Sequence, residues 1–379
     1  MIYLDNAATT FPKPKEVMAA MQTAMCRYSA NPGRSGHKLS LKAASEIYRC
    51  RETVADFFNV KNVENIIFTS NCTHSLNIVM KGYLKKGDHV VVSCLEHNSV
   101  MRPLHELSKI GVTFTEAQVY MGDHKKTVES FNNAINKKTK LVICTHASNV
   151  WGIRLPIEEI AKLCKERKIK FMVDAAQSAG VLPIDFENMG IDFLCMPGHK
   201  SLFGPMGTGI LILSDSSLID PLMTGGTGSS SFFYEQPNQL PDKFESGTPN
   251  LPGIVGLRAG IQYIQRIHRE TIHEHEMKLI YNLYSRLSNM RKVKLYTGKP
   301  VKEYYVPVLS FNINNFDSES AAEILNSQYN IGLRAGLHCS PSAHKFMETE
   351  ETGSLRVSPS FFSSMQHIDA LVKSIEKIQ

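Results

Sequence analysis

The sequence predicts an α/β protein, with a large unit built on a mainly parallel sheet and a smaller α+β unit behind it. Three observations carry this. Between residues 62 and 213 short apolar runs alternate with amphipathic segments, the rhythm of repeated βαβ units. Runs such as LVIC and FMV are apolar without interruption, as strands covered on both faces are. Beyond residue 252 the rhythm changes to long helices, followed by strands and helices in a different succession. The boundaries that follow are 15–252 for the large domain, with 1–14 and 253–379 forming the small one.

In chain order, ENIIFTS (64–70) reads as a strand and THSLNIVMKGYL (73–84) as a helix by its apolar spacing. DHVVVS is a strand, SVMRPLHELSKI a helix and GVTFTEA a strand. TVESFNNAI is then a helix, KLVICTH a strand, PIEEIAKLCKERK a helix and IKFMVDAA a strand. IDFLCM and GILIL (191–196 and 209–213) are two more buried strands. Between them lies HKSLFGPMGTG, where four of eleven residues are Gly or Pro, so the backbone must turn sharply. Residues 224–252 are rich in Gly, Ser and Pro and read as one long loop; loops of that length are usually functional or packed on a partner. Residues 253–290 form one or two long amphipathic helices. Strand VPVLSFNI, helix DSESAAEILNSQ, strands IGLRAG and GSLRVSP, and helix QHIDALVKSIEKI complete the chain.

The composition, 42% hydrophobic and 21% charged over 379 residues, is that of a soluble globular protein. The net charge of +6 is dispersed, and its densest runs (HKK, NKKTK) lack interleaved aromatics, which argues against nucleic-acid binding. The N-terminus lacks the basic and apolar regions of a signal peptide, and no apolar run approaches the ~18 residues of a membrane span. A cytoplasmic protein is expected. The eight cysteines form no C-x-x-C pair, and most sit in apolar segments as small buried hydrophobes. Cys339, in the polar, Gly/Pro-punctuated RAGLHCSPSAH, is expected to be exposed.

Ligands of open α/β sheets bind beyond the carboxyl ends of the parallel strands, and polar residues collect there. After the first strand, Asn71, Cys72 and Thr73 open a helix whose free N–H groups suit a phosphate; a plain N-cap by Asn71 or Thr73 is the other reading. His97 follows the next strand, as a capping or solvated histidine or as a site residue. Asn149 follows a third. Asp174 ends an otherwise apolar strand, where its carboxylate needs a cationic partner, and Gln177 follows it. Lys200 comes 26 residues after Asp174, in the glycine-rich turn directly after His199. A turn lysine, a strand-end aspartate and a phosphate-ready helix together suit pyridoxal phosphate. The lysine would form the Schiff base, the aspartate hold the pyridinium, and the helix bind the phosphate, with the glycines letting backbone approach the cofactor.

These residues, in this order, resemble the class V aminotransferase family of fold-type I pyridoxal-phosphate enzymes, most nearly the cysteine desulfurase and selenocysteine lyase branch. The likeness runs from YLDNAATTFPKP (3–14) to SLRVSPSFFSS (354–364), with EHNS, SNVWG, DAAQ, GHK, FESGTPN and RAGLHC in register. It implies the fold-type I transferase fold, with Lys200 bound to the cofactor, Asp174 on its ring nitrogen and Gln177 on its phenolic oxygen. It implies further that His97 stacks on the ring and acts as acid or base, and that Cys72, Thr73 and His199 hold the phosphate. Thr248 would reach the neighbouring subunit's phosphate, making the long loop a homodimer element. Arg356 would clamp the substrate carboxylate, assisted by Asn149 and the backbone near Ala7 and Ala8, with His37 and Arg334 near the mouth. No metal is implied.

Cys339 matches the cysteine that attacks substrate sulfur, so the resemblance implies conversion of L-cysteine to L-alanine with a persulfide left on Cys339. His338 and Arg334 would lower its pKa; an inert loop cysteine is the alternative. Two features depart from or subdivide the family pattern. Pro197 stands where many relatives have a phosphate-contacting Ser, and the short segment around Cys339 matches a branch that handles selenocysteine or cysteine sulfinate and relies on an acceptor protein. Other readings are a selenocysteine lyase or another sulfur amino acid lyase of the same fold, and a sulfur-relay module that docks an acceptor. Simple transamination gives Cys339 no task.

Overall fold

A computed structural model describes residues 1–33 and 35–378 of the chain. Its first strand, β1 (Ile2–Tyr3), pairs in parallel with β11 (Ile331–Gly332), so the chain's start packs against its far end. Helices α1 (Lys15–Arg27) and α2 (Lys38–Phe58) follow. The alternation that begins at residue 62 gives no hint of them. In α1 only Val17 and Ala24 are buried, too thin a stripe to stand out in a sequence.

Seven strands then build the main sheet: β2 (Ile66–Thr69), β3 (His89–Ser93), β4 (Thr113–Ala117), β5 (Thr139–Thr145), β6 (Lys170–Asp174), β7 (Phe193–Pro197) and β8 (Gly209–Leu213). Their order is β2-β8-β7-β6-β5-β3-β4; β8 runs against both its neighbours and every other pairing is parallel. Successive residues face opposite cores, as the strand period of two requires. Ile66 and Phe68 enter one core and Ile67 the other, while Val91 and Val90 divide in the same way. Helices α3 (Cys72–Tyr83) and α4 (Asn98–Ser108) cover one face. On the other lie α2, α5 (His124–Ala134), α6 (Ile157–Arg167), the short α7 (Phe186–Met189) and α8 (Leu251–Ile267). The mainly parallel sheet covered on both faces is thus as expected.

Residues 224–250 hold no helix or strand, in keeping with the long-loop reading. The 253–290 segment resolves into two helices, α8 and α9 (Arg269–Leu287), parted at His268, whose φ of 70° no helix tolerates. Beyond them an antiparallel sheet of β12 (Leu355–Val357), β10 (Leu309–Ile313) and β9 (Val293–Leu295) packs with α10 (Ser318–Tyr329) and α12 (Met365–Lys377) around a separate core. Leu4 belongs to that core. Helix α8 shares the core of the large sheet, and the change occurs within α9: Ile272 and Met277 face the first core, Leu279, Ile280, Leu283 and Leu287 the second. The short α11 (Pro341–Phe346) packs on the first core through Ala343, whose carbonyl accepts from Nε1 of Trp151, buried after β5, at 2.7 Å. Cys339 is exposed, as expected. Cys26 is exposed as well, on the solvent side of α1, while the other six are buried, in keeping with the expectation that most are.

Candidate active site

Five strands of the main sheet end at one cavity. The segments leaving β2, β3, β5, β6 and β7 supply Asn71, Cys72 and Thr73, then His97 and Ser99, then Ala147 and Asn149, then Ala176 and Gln177, then His199 and Lys200. Asp174 and Thr145, the last residues of their strands, form part of its wall. The cavity is small, about 110 Å³, beside a groove of about 500 Å³ lined by Arg51, His74 and Thr248. The chemistry lies in the smaller one, since Lys200, Asp174 and His97 all line it and none lines the groove.

Lys200 is presented by a turn closed by Phe203 N to Lys200 O at 2.8 Å and Gly204 N to Gly198 O at 2.8 Å. Two glycines of this segment are required by packing. A Cβ on Gly204 would meet Gly198 O at 2.8 Å and Leu257 at the same distance; one on Gly209 would meet the Asn71 backbone at 2.6 Å. The chain's start secures the turn: His199 O accepts from Lys13 Nζ at 2.6 Å, Thr9 Oγ1 at 3.1 Å and Thr10 N at 3.2 Å. Burial lowers the Lys200 ammonium to about 8, opposed by Asp174 and aided by Arg356, so about a tenth of it is free amine at pH 7, far more than for an ordinary lysine.

Asp174 is buried, and its Oδ1 accepts from Ala176 N at 2.8 Å and from the Cys72 thiol at 3.5 Å. Burial raises its pKa while Lys200 lowers it. Gln177 donates from Nε2 to Ala7 O at 3.0 Å, which brings the Ala7 backbone to the site. Both capping readings are realised, yet both residues also face the cavity. Asn71 Oδ1 caps α3 by accepting from His74 N at 2.9 Å, and His97 Nδ1 caps α4 by accepting from Ser99 N at 3.0 Å. With Nδ1 committed as an acceptor, the His97 proton sits on Nε2. Burial and the cations Lys200, Arg334 and Arg356 depress its pKa to about 4, so it is a neutral imidazole.

Arg356 occupies β12, 1% exposed. Its Nη2 pairs with Asp5 at 2.6 Å, Nη1 donates to Asn149 O at 2.9 Å, and Nε has no partner among the described residues. Asn149 donates from Nδ2 to His338 O at 2.9 Å and accepts from Ser340 Oγ at 2.7 Å. Between those residues stands Cys339. Its sulfur lies 3.3 Å from Arg334 Nη2, and its carbonyl accepts from Asn98 N at 2.8 Å, the residue after His97. His338 does not assist as a cation. Buried, with Nε2 donating to Ser354 O at 2.9 Å, it is held at about 2 and stays neutral, which leaves Arg334 as the charge beside the thiol.

Of the residues singled out in the sequence, Cys72, Thr73, His97, Asn149, Asp174, Gln177, His199 and Lys200 line one cavity. Ala7, Arg356 and Cys339 join through Gln177 and Asn149 and its neighbours. His37 does not line the cavity; it is exposed and caps α2 by accepting from Ser40 N at 3.2 Å. Thr248 lines the wider groove. Sequence reasoning missed Asp5, Lys13, Ser99 and Ser340. Asp5 lies within the quoted YLDNAATTFPKP, but a partner 351 positions away leaves no local signal.

The chain is similar throughout to known proteins. The profile of the family described as Aminotransferase class-V matches residues 2–371. A probable cysteine desulfurase of Methanothermobacter thermautotrophicus is 36% identical over 100% of this chain and 94% of its own length. One of Borreliella burgdorferi is 33% identical over 100% and 92%. Among solved structures, the apo form of a cysteine desulfurase from Thermococcus onnurineus superposes with a TM-score of 0.91 at 33% identity, covering 99% of this chain and 94% of that one. An S-sulfonic acid form of a cysteine desulfurase from Escherichia coli gives 0.86 at 26% identity, covering 99% and 94%.

Proposed function

The chain belongs to the class-V aminotransferase family, and from that premise we propose that it is a cysteine desulfurase acting with pyridoxal phosphate, releasing L-alanine and retaining the sulfur on Cys339. The observation that carries the reading is an exposed cysteine, paired with Arg334 and bonded through its carbonyl to the residue after His97, beside a cavity floored by Asp174 and reached by a lysine of lowered pKa.

The residues fit the cofactor. His199 Nδ1 is buried, lines the cavity and has no partner among the described residues, and burial holds the ring neutral at about 4, so it offers an N–H donor or an acceptor without charge. Asn71 satisfies one first-turn N–H of α3, leaving those of Cys72 and Thr73 for a phosphate. Asp174 would hold the ring nitrogen, Gln177 the phenolic oxygen, and Lys200 the aldehyde carbon. When bound, the cofactor supplies a cationic conjugated ring that accepts the electron pair released at the substrate Cα.

The chain's own groups do the rest. Lys200 Nζ, as free amine, takes the Cα proton. Arg356, held by Asp5 and Asn149 O, orients the carboxylate. The Cys339 thiolate attacks the substrate sulfur: an S–S bond forms and the C–S bond breaks with its electron pair left on Cβ; a proton added to Cβ, and return of the Cα proton from Lys200, complete alanine. His97, neutral and capped, serves to hold the ring face and not as a charged acid.

Thr248 and the exposed Phe232, Phe233 and Tyr234 on the long loop support a homodimer in which each loop completes its partner's site. A thiol that must cycle through a persulfide suits the reducing cytoplasm and hands its sulfur to an acceptor; no helix among the described residues is long and apolar enough to cross a membrane. The test is product analysis with L-cysteine. Alanine should form stoichiometrically with sulfur, mass spectrometry should find one added sulfur on Cys339, and Cys339→Ala should lose alanine formation. Sulfur on Cys26 instead, or wild-type alanine formation by the variant, would overturn the assignment.

A further inference from the structure

We infer that Asn149 and Ser340 form a clasp that positions Cys339 for attack, an inference that rests on the desulfurase reading for the meaning of the attack but not for the clasp itself. His338 and Cys339 are consecutive residues in the left-handed region, with φ of 51° and 59°. Neither is a glycine, and such a pair persists only where its surroundings over-determine it. One side chain supplies much of that determination: the Asn149 amide donates to the carbonyl preceding Cys339, at 2.9 Å, and accepts from the hydroxyl following it, at 2.7 Å. Asn149 is 7% exposed and Ser340 0%, so both bonds are sheltered from competing water. Ser354 O, bonded to His338 Nε2, and Asn98 N, bonded to Cys339 O, close the remaining sides.

The arrangement gives Asn149 a task beyond lining the cavity. Its main-chain carbonyl carries the Arg356 guanidinium, and its side chain carries the turn that presents the thiol. The carboxylate clamp and the nucleophile are therefore referenced to one residue, which fixes the separation between the two ends of an amino-acid substrate. Ser340 touches neither end. Among the described residues its hydroxyl bonds only to Asn149, so it is a positioning residue that can be removed without touching cofactor or substrate.

The test uses the holoprotein with Ser340→Ala, and separately Asn149→Asp, which keeps the shape but sets an oxygen against His338 O. Three quantities are read: cofactor absorbance, the rate of iodoacetamide alkylation of Cys339 relative to the exposed Cys26 by mass spectrometry, and kcat and KM for alanine formation. In Ser340→Ala the relative alkylation of Cys339 should rise about fivefold and kcat fall by a similar factor, the population shift that loss of one buried hydrogen bond supports. KM and cofactor absorbance should hold, and Asn149→Asp should exceed it in alkylation. Unchanged relative alkylation in both variants overturns the clasp, whatever happens to activity. Changed alkylation in a protein that forms no alanine from cysteine leaves the clasp standing and overturns the desulfurase reading instead.

Discussion

Replacing Glu96 by Gln should change stability by an amount that depends on pH, and the structure sets both sign and size. Glu96 is fully buried behind the cavity; Oε1 accepts from Ser93 Oγ at 2.5 Å and Thr145 N at 2.7 Å, while Oε2 has no partner among the described residues. Burial pushes its carboxyl from 4.5 up to about 8. Between those values the folded chain binds a proton that the unfolded chain does not. Its stabilising contribution is therefore full below 4.5 and is lost as pH rises through 8. At pH 7 the loss spans 2.5 pH units above 4.5, about 3 kcal/mol at 1.36 kcal/mol per unit. Gln keeps the Oε1 acceptor and cannot ionise, so its own cost is the same at every pH. Urea unfolding of both proteins at about pH 5 and about pH 7 should show the variant gaining about 2 to 3 kcal/mol on the wild type with rising pH. A difference that does not move with pH would mean that Glu96 ionises as in water, and would refute the account of a neutral acid beside Asp174.

Three further outcomes are expected. Borohydride reduction of the holoprotein should fix the cofactor to Lys200, found by peptide mass, and Lys200→Ala should bind cofactor without becoming reducible; attachment at another lysine would sink the assignment. Asp174→Asn should cut alanine formation on the order of a hundredfold, the effect of removing one preorganised charge, while the protein remains folded by circular dichroism; near-wild-type turnover would remove Asp174 from the mechanism. Sedimentation should show a dimer, and mixing Lys200→Ala with Thr248→Ala subunits should yield hybrids carrying one intact site; a fully active monomer would refute shared sites.

The strands were legible because their chemistry is local. Each buried strand of the main sheet (β2, β3 and β5 to β8) holds a short apolar run near turn residues, and the polar residues at their ends were legible for the same reason; the exposed edge strand β4, TFTEA, has no such run. What escaped was non-local. The long-range pairing of β1 with β11 and the Asp5–Arg356 ion pair are set by how two distant segments meet, and no spacing encodes that. Helices α1 and α2 escaped for a different reason. In α2, Ser40, Glu46 and Arg51 are buried among the apolar residues, with Glu46 and Arg51 held by Arg258 and Glu245, which blurs the apolar stripe a reader looks for. The His338 role failed because proximity to Cys339 in sequence says nothing about burial, which here removes the charge that the role required.

The charges around the cavity argue for what it takes in. Arg334 and Arg356 both lower the pKa of Lys200, and all three lower that of His97, so the cavity lies in a positive field. The anions that answer it are few: Asp174 at the floor, and Asp5, which Arg356 already occupies. Buried cations short of counter-ions are costly, and the cost is relieved when ligands bring negative charge. On the proposed reading a phosphate at the α3 end and a carboxylate at the Arg356 end would supply it at two separate points, so the substrate's own carboxylate should matter as much as its thiol. Cysteamine, which has the amine and the thiol but no carboxylate, should therefore be a very poor substrate, its kcat/KM lower than that of L-cysteine on the order of a hundredfold or more, as expected for loss of a charge-assisted pair. Arg356→Lys should erase most of that discrimination by slowing L-cysteine, because a lysine cannot hold Asp5, Asn149 O and a carboxylate at once. Equal processing of cysteamine and cysteine by the wild-type protein would show that Arg356 serves the fold alone and that the field has another purpose.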